Sequence, residues 1–318
     1  MTRVAVLTSG WSAEPAAVQE ALPDDEVIII ERGASLEPAA LAEVGLIPPD
    51  ADRARALLAA APRLRWLHTI SAGVERLLIP EIVDRPDLVF TNNTGAYDVP
   101  IAEHVMAMLF AASKRIPGHL ATQARHEWKR DLEHTELRDA TLVILGLGSI
   151  GGELARLASG LGMRVLGVRR DASRPVPGVE RVVPPEQLAE LAAEADYLAV
   201  TSALTPATRG LLSAEVIARL RPHAWVVNIA RGAIVDEPAL IAALQEQRIG
   251  GAALDVFAVE PLPADSPLWG LDNVILTPHV SNSSPRVRER TLALVVENVR
   301  RFKAGEPLLN IVDPAVGY

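Results

Sequence analysis

Short apolar runs alternate along this chain with longer stretches in which apolar positions recur every three or four residues. In the first hundred residues the runs at 4–7, 27–30, 44–47, 64–69 and 88–91 read as strands. Segments such as 52–61 and 74–83, between those runs, read as helices. Regular strand–helix alternation predicts a parallel sheet covered by helices on both faces. This first unit ends near Gly95.

Pro100 then opens a helical pattern over 101–113, where a first-turn proline loses nothing because its missing N–H has no helical partner. The stretch 126–139 carries Trp128 among charged residues without clean periodicity. It reads equally as an arm that packs on a partner subunit and as a surface loop with one anchored tryptophan. A second alternating series follows, with strands at 163–168, 197–201, 225–229, 252–256 and 274–277 and helices at 213–219 and 237–247. Asp236 stands in front of the latter as an N-cap or first-turn acid. The last long helix, 285–302, puts Leu292, Val295, Val296, Val299 and Phe302 on one face and ends at Gly305. Neither an internal repeat nor a low-complexity segment is present. The expected architecture is α/β: two doubly wound parallel-sheet domains, Rossmann- and flavodoxin-like, with an interdomain cleft as the natural ligand site.

One turn in this pattern carries chemistry. The apolar run Thr141-Leu-Val-Ile-Leu leads into Gly146-x-Gly148-x-x-Gly151 and then into a helix with Ile150, Leu154, Leu157, Ala158 and Leu161 on its apolar face. Gly162 stands where the helix needs a residue of positive φ. In a strand–turn–helix that binds a dinucleotide, Gly146 permits the tight turn, Gly148 lets the backbone approach a pyrophosphate, and Gly151 lets helix and strand pack closely.

Composition narrows the reading. The 318 residues carry a net charge of −9 and 49% hydrophobic residues. That is a globular chain of about two domains, without the cation excess of a nucleic-acid or membrane-surface binder. Having no cysteine excludes disulfides, thiolate metal sites and thiol nucleophiles, and no metal is expected. Met1–Gly10 reads as a first strand and turn rather than a signal peptide, and no apolar run reaches membrane-spanning length, so a soluble cytoplasmic protein is expected.

Three segments put a polar residue just beyond a buried strand: Asn228-Ile-Ala-Arg231-Gly232, Leu254-Asp255-Val-Phe-Ala-Val-Glu260-Pro261 and Leu276-Thr-Pro-His279. Strand C-termini of an open α/β sheet face the ligand crevice. Singly, each has a plainer reading: a surface ion-pair partner, a turn, a structural histidine. Together an Arg, a Glu and a His make a complete set for reducing a 2-oxo acid. Arg231 would fork onto carboxylate and carbonyl oxygen. His279 would polarise the carbonyl and donate the proton. Glu260 would accept a hydrogen bond from the other ring nitrogen and fix the tautomer.

This combination resembles the D-isomer-specific 2-hydroxyacid dehydrogenase family, and within it the glyoxylate/hydroxypyruvate reductase branch. Leu145-Gly-Leu-Gly-Ser-Ile-Gly151, Leu204-Thr-Pro-Ala-Thr-Arg-Gly210, Asn228-Ile-Ala-Arg-Gly-Ala-Ile-Val-Asp-Glu237, Leu254-Asp-Val-Phe257 with Glu260-Pro261, and Thr277-Pro-His279 carry the match. Ser71-Ala-Gly-Val74 and Ala102-Glu-His104 match the family's first-domain signatures. The resemblance implies that Arg231, Glu260 and His279 are catalytic and that backbone amides around Ala72, Gly73 and Val74 hold the substrate carboxylate. It implies Ser149 and Ile150 at the pyrophosphate, Ser202 and Ile229 along the cofactor groove, and Asp255 near the nicotinamide amide. It also implies a substrate domain of residues 1–99 plus 285–318, a dinucleotide domain of residues 100–284, and a homodimer formed through residues 101–139.

Departures from the family pattern are informative. An NAD-using member has an acid about 20 residues after the glycine turn, at the end of the next strand. Here Arg169 and Arg170 occupy that place, which suits a 2′-phosphate. NADP(H) is therefore expected ahead of NAD(H), unless both arginines face solvent and Asp171 serves the ribose. The family's usual Asp is Glu75 here, a usual Pro is Ala203, and Val280-Ser-Asn-Ser-Ser284 makes a polar wall that reads equally as solvated helix-start residues. The expected function is an NADPH-preferring reductase of small 2-oxo acids giving D-2-hydroxy acids. The rivals are an NAD(P)-sensing binding protein of the same fold and a dehydrogenase using NAD and a larger 2-oxo acid.

Overall fold

The early apolar runs pair into one parallel sheet. In the computed structural model, which describes residues 1–8, 15–130 and 133–318, these strands are β1 (Arg3–Leu7), β2 (Glu26–Ile30), β3 (Val44–Ile47), β4 (Trp66–Thr69) and β5 (Val89–Thr91). Their order is β2-β1-β3-β4-β5 with every neighbour parallel, the flavodoxin-like winding. The intervening helices are α1 (Pro15–Ala21), α2 (Ala51–Ala60) and α3 (Pro80–Val83). Asp50 starts α2 by accepting the Asp52 and Arg53 amides on its side chain. The turn expected at Ser9 and Gly10 lies outside the described residues.

The helix expected over 74–83 is a correction: only α3 forms, and the residues before it make turns. Pro80 is the reason. It lacks an N–H and pushes the preceding residue out of the helical region, and Ile79 is extended at φ −97°, ψ 152°.

The second series begins with α4 (Asp98–Ser113), two residues ahead of Pro100, and α5 (Ile116–Ala124), which periodicity had not suggested. Along 126–139 the described residues form neither helix nor strand, and residues 131 and 132 lie outside the description. Trp128 is 90% exposed, so it anchors nothing within its own chain.

There follow β6 (Thr141–Leu145), α6 (Ser149–Gly160), β7 (Arg164–Val168), β8 (Arg181–Val183), α7 (Leu188–Ala192), β9 (Tyr197–Val200), α8 (Ala214–Arg219), β10 (Trp225–Asn228), α9 (Glu237–Gln245), β11 (Gly251–Leu254) and β12 (Val274–Leu276). They form a parallel seven-stranded sheet in the order β12-β11-β10-β9-β6-β7-β8. This is the Rossmann order with one strand added at the far end, and the winding reverses between β6 and β9.

The face of α6 also needs correction. Gly151, Leu154, Ala155 and Ala158 are its buried residues, whereas Ile150 and Leu157 are half-buried and Leu161 is 40% exposed. Small residues form this stripe because the helix lies close to its neighbours. Beyond it Gly162 has φ +81°, and the Gly162 and Met163 amides close a Schellman motif on the Ser159 and Ala158 carbonyls.

The last helix, α10 (Pro285–Ala304), is capped by Ser284 and ends at Gly305 with φ +68°. Val295 and Val299, flanked by Leu292, Val296 and Phe302, pack with Val4, Val6, Val44, Leu46 and Trp66 of the first sheet. The chain accordingly divides into two compact units, Met1–Tyr97 with Ser283–Tyr318, and Asp98–Asn282. No helix among the described residues is long and apolar enough to cross a membrane.

Candidate active site

The glycine turn joins β6 to α6. Gly146 has φ +107°, and a Cβ there would lie 2.5 Å from the Ser202 nitrogen. A Cβ on Gly151 would lie 2.0 Å from the Gly146 carbonyl oxygen, which accepts the Thr201 hydroxyl at 2.6 Å. Gly148, by contrast, faces open space. Side chains cap α2, α8, α9 and α10, but α6 begins at Gly148 with no side-chain cap. The first-turn amides of Ser149, Ile150 and Gly151 are thus left to an external anion.

Ser202 Oγ, beside Gly146, is buried without a hydrogen-bond partner among the described residues. An uncapped helix start, a turn closely packed at Gly146 and Gly151 but open at Gly148, and an orphaned hydroxyl fit a dinucleotide. Ile229, also expected along that groove, is buried at the end of β10. Arg169 and Arg170 follow β7, half-buried and exposed respectively. Asp171 accepts the Ser173 hydroxyl at 2.5 Å and the Ser173 amide at 3.2 Å, and pairs with Arg174 at 3.1 Å. Those hydrogen bonds, with the nearby Arg174 and Arg169 charges, hold its carboxyl below the usual range.

Three adjacent parallel strands, β10, β11 and β12, deliver Arg231, Glu260 and His279 at the same edge of the second sheet. Asn228, 1% exposed, shapes the first loop by donating to the Arg231 carbonyl at 3.1 Å and accepting the Ala230 amide at 3.0 Å. One Arg231 guanidinium nitrogen donates to the Ala230 carbonyl at 2.7 Å. Glu260 Oε1 accepts the Phe257 amide at 3.0 Å, and its Oε2 meets His279 Nδ1 at 2.7 Å. With a carboxylate on Nδ1, that nitrogen carries the proton and Nε2 is turned to whatever lies beyond. Both side chains remain more than a third exposed.

Asp255, expected near the nicotinamide amide, is fully buried beneath the histidine loop. Its carboxylate accepts the Thr277 hydroxyl at 2.6 Å and the Val280 and Ser281 amides at 2.9 and 3.0 Å. Its carbonyl accepts the His279 amide at 2.9 Å. Burial pushes the carboxyl up, but these donors outweigh it and leave it below the usual range. His279 has φ +54°, an uncommon conformation for a non-glycine residue, and this web of bonds holds it there. Since the Thr277 proton goes to Asp255, the Thr277 oxygen accepts from His104 Nε2, 3.2 Å away on α4.

In the first unit, Ser71-Ala-Gly-Val74 follows β4. Among the described residues the Ala72, Gly73 and Val74 amides donate to no protein acceptor. Their loop is braced from β5: Asn92 Nδ2 donates to the Ala72 carbonyl at 2.9 Å, the Asn93 amide to Ser71 at 3.0 Å and Asn93 Nδ2 to Ile70 at 3.2 Å. Sequence reasoning missed Asn92 and Asn93, and it met His104 and Thr277 only as members of family motifs, with no role assigned. Paired asparagines just after a buried strand were the available signal for the first two.

Known proteins resemble this chain over most of its length. The family model for the NAD-binding domain of D-isomer specific 2-hydroxyacid dehydrogenases matches residues 106–281, more than half of the chain. A glyoxylate reductase of Korarchaeum cryptofilum is 35% identical over 302 residues, covering 92% of this chain and 88% of that one. A D-3-phosphoglycerate dehydrogenase of Methanocaldococcus jannaschii is 34% identical over 264 residues, 81% of this chain, which spans about half (49%) of that longer protein. The solved structure of an NADPH-dependent glyoxylate/hydroxypyruvate reductase of Sinorhizobium meliloti, in complex with NADP and sulfate, superposes with a TM-score of 0.83 at 29% identity, covering 100% of both chains. The Rossmann turn and the three loops beyond β10, β11 and β12 therefore sit in an NAD(P)-dependent oxidoreductase, and the chain belongs to the D-isomer specific 2-hydroxyacid dehydrogenase family.

Proposed function

We propose that this chain is an NADPH-preferring reductase of small 2-oxo acids of the glyoxylate/hydroxypyruvate type, giving D-2-hydroxy acids, or achiral glycolate from glyoxylate. The observation that carries the reading is the 2.7 Å contact between Glu260 Oε2 and His279 Nδ1, on the loop next to Arg231. A bound nicotinamide supplies a hydride to C2 of the substrate. Arg231 binds the carboxylate and carbonyl oxygen of the acid and draws charge toward that oxygen. His279, charged and held by Glu260, donates its Nε2 proton to the same oxygen, and Glu260 stabilises the imidazolium beforehand. The Ala72, Gly73 and Val74 amides suit a carboxylate.

The cofactor preference is supported by Arg169 and Arg170 at the end of β7, with Asp171 engaged by Ser173 and Arg174. A homodimer paired through residues 101–139 is supported by exposed Phe110, Ile116, Leu120 and Trp128. A chain without cysteine suits the cytoplasm, which is the expected compartment.

The test is oxidation of NADPH and NADH with glyoxylate, hydroxypyruvate, pyruvate, phenylpyruvate and 3-phosphohydroxypyruvate side by side. Fastest turnover of NADPH with glyoxylate or hydroxypyruvate is expected, and Arg169→Asp should erode the NADPH preference by about tenfold or more. Preference for the phosphorylated acid, or equal kcat/KM with the two cofactors, would overturn the corresponding part. Arg231→Ala should lower kcat/KM by about a thousandfold with NADPH binding retained.

A further inference from the structure

The loop that carries Arg231 and the loop that carries Glu260 are joined at two points outside the reacting groups. Gly232 lies so close to the second loop that a Cβ there would come within 1.9 Å of the Phe257 carbonyl carbon and 2.2 Å of the Ala258 nitrogen. Glu237, the first residue of α9, accepts the Ala258 amide on Oε2 at 2.9 Å. The preceding amide, Phe257, donates to Glu260 Oε1. Two successive amides of one turn are thus held by two carboxylates, and one of these is Glu260 itself. The Glu237 end is firmly set: Asp236 caps α9 through the Ala239 amide at 3.1 Å, and the Asp236 and Leu212 amides donate to the Leu212 and Ile234 carbonyls respectively.

We infer that Glu237 is a positioning residue for the reaction: it pins the 257–258 turn against the Arg231 loop and so aims Glu260 Oε2 at His279 Nδ1. This rests on the roles of Glu260 and His279 proposed above. A hydrogen bond to Glu260 Oε1 fixes the carboxylate's rotation only while the turn that donates it stays still. The contact at Gly232 prevents approach from one side, and the Glu237 carboxylate prevents departure on the other. Among the described residues, the ionisable groups that bond the imidazole or the loop bearing it are Glu260 on Nδ1, Asp255 and, through Thr277, His104.

The experiment compares the full-length parent with Glu237→Ala, Glu237→Gln and Glu260→Gln, using the preferred 2-oxo acid and NADPH. It measures kcat and KM against pH, NADPH binding by fluorescence, and Tm. Glu237→Ala should lower kcat about tenfold with KM and NADPH affinity nearly unchanged. Its kcat–pH profile should also depart from the parent's. Glu237→Gln keeps an acceptor oxygen and should stay within about twofold of the parent. A parent-like kcat and pH profile in Glu237→Ala, or a loss that follows Tm and is not rescued by Gln, would overturn the inference. Should Glu260→Gln itself keep parental turnover and pH profile, the proton-donor reading fails too. Loss in Glu260→Gln with none in Glu237→Ala defeats only the role of Glu237.

Discussion

Each unit buries a titratable side chain near the C-terminal end of the strand next to a sheet edge, and the two meet opposite fates. In the first unit His68 is wholly buried on β4. Its Nδ1 meets the Thr91 hydroxyl at 2.9 Å, and that hydroxyl also accepts Trp66 Nε1 at 2.8 Å. The other ring nitrogen, Nε2, has no hydrogen-bond partner among the described residues. Burial alone pushes this imidazole down to about 3. In the second unit Asp255 is equally buried but surrounded by donors, and it keeps its charge. Depth below the surface does not decide whether a buried group ionises. What decides is how many hydrogen bonds the neighbouring loop offers to the charged form. The uncharged centre packs a core, whereas the charged one holds up the loop that bears His279.

Asp255→Ala should break that distinction most severely. It strands the Thr277 hydroxyl and two loop amides, at about 3–5 kcal/mol in stability, and frees the His279 loop, at about a hundredfold in kcat. Thermal unfolding and steady-state kinetics on one preparation check both effects. If stability falls while kcat holds, the Asp255 web supports the core alone.

The next effect belongs to His68 and depends on pH. Its folded pKa lies below its unfolded value of about 6.5, so the stability tied to the neutral ring is complete above that value. It is lost as pH falls from about 6.5 toward about 3. Between pH 6.5 and 5 this loss is about 2 kcal/mol. Denaturant unfolding across that range should show the slope in the parent and not in His68→Gln, and an equal slope in both would refute the assignment.

The smallest effect tests whether the two units are alike where no chemistry intervenes. Gly162→Ala at the end of α6 and Gly305→Ala at the end of α10 each force a side chain to adopt positive φ. Each should cost about 1 kcal/mol, read as similar drops in Tm. Very different costs would show that surrounding packing, rather than helix termination, sets the requirement at one of them.

The amino-acid sequence by itself determined what depends on neighbours a few residues apart. The buried strands were legible as apolar runs, the β6–α6 turn as three glycines, the start of α9 in Asp236, and the ends of α6 and α10 in Gly162 and Gly305. Arg231, Glu260 and His279 were legible as polar residues beyond successive apolar strands, the last of which, β12, is a half-buried edge strand. Local pattern failed where tertiary packing or weak local preference ruled. The 74–83 pattern has helical spacing, yet Pro80 restricts it to α3. The three-residue edge strand β8 is too short to show a period, and it exists by pairing with β7. Leu161 has the spacing of a buried residue but is the C-cap of α6, where it stays 40% exposed.

Tertiary structure alone decided the support of the site. The bonds from Asp255 to Thr277, Val280 and Ser281 span 22–26 residues, and that from Ala258 to Glu237 spans 21. A local window cannot contain such partners. They meet because parallel strands bring their C-terminal ends to one edge of the sheet, and the loops beyond that edge must satisfy one another's polar groups away from water.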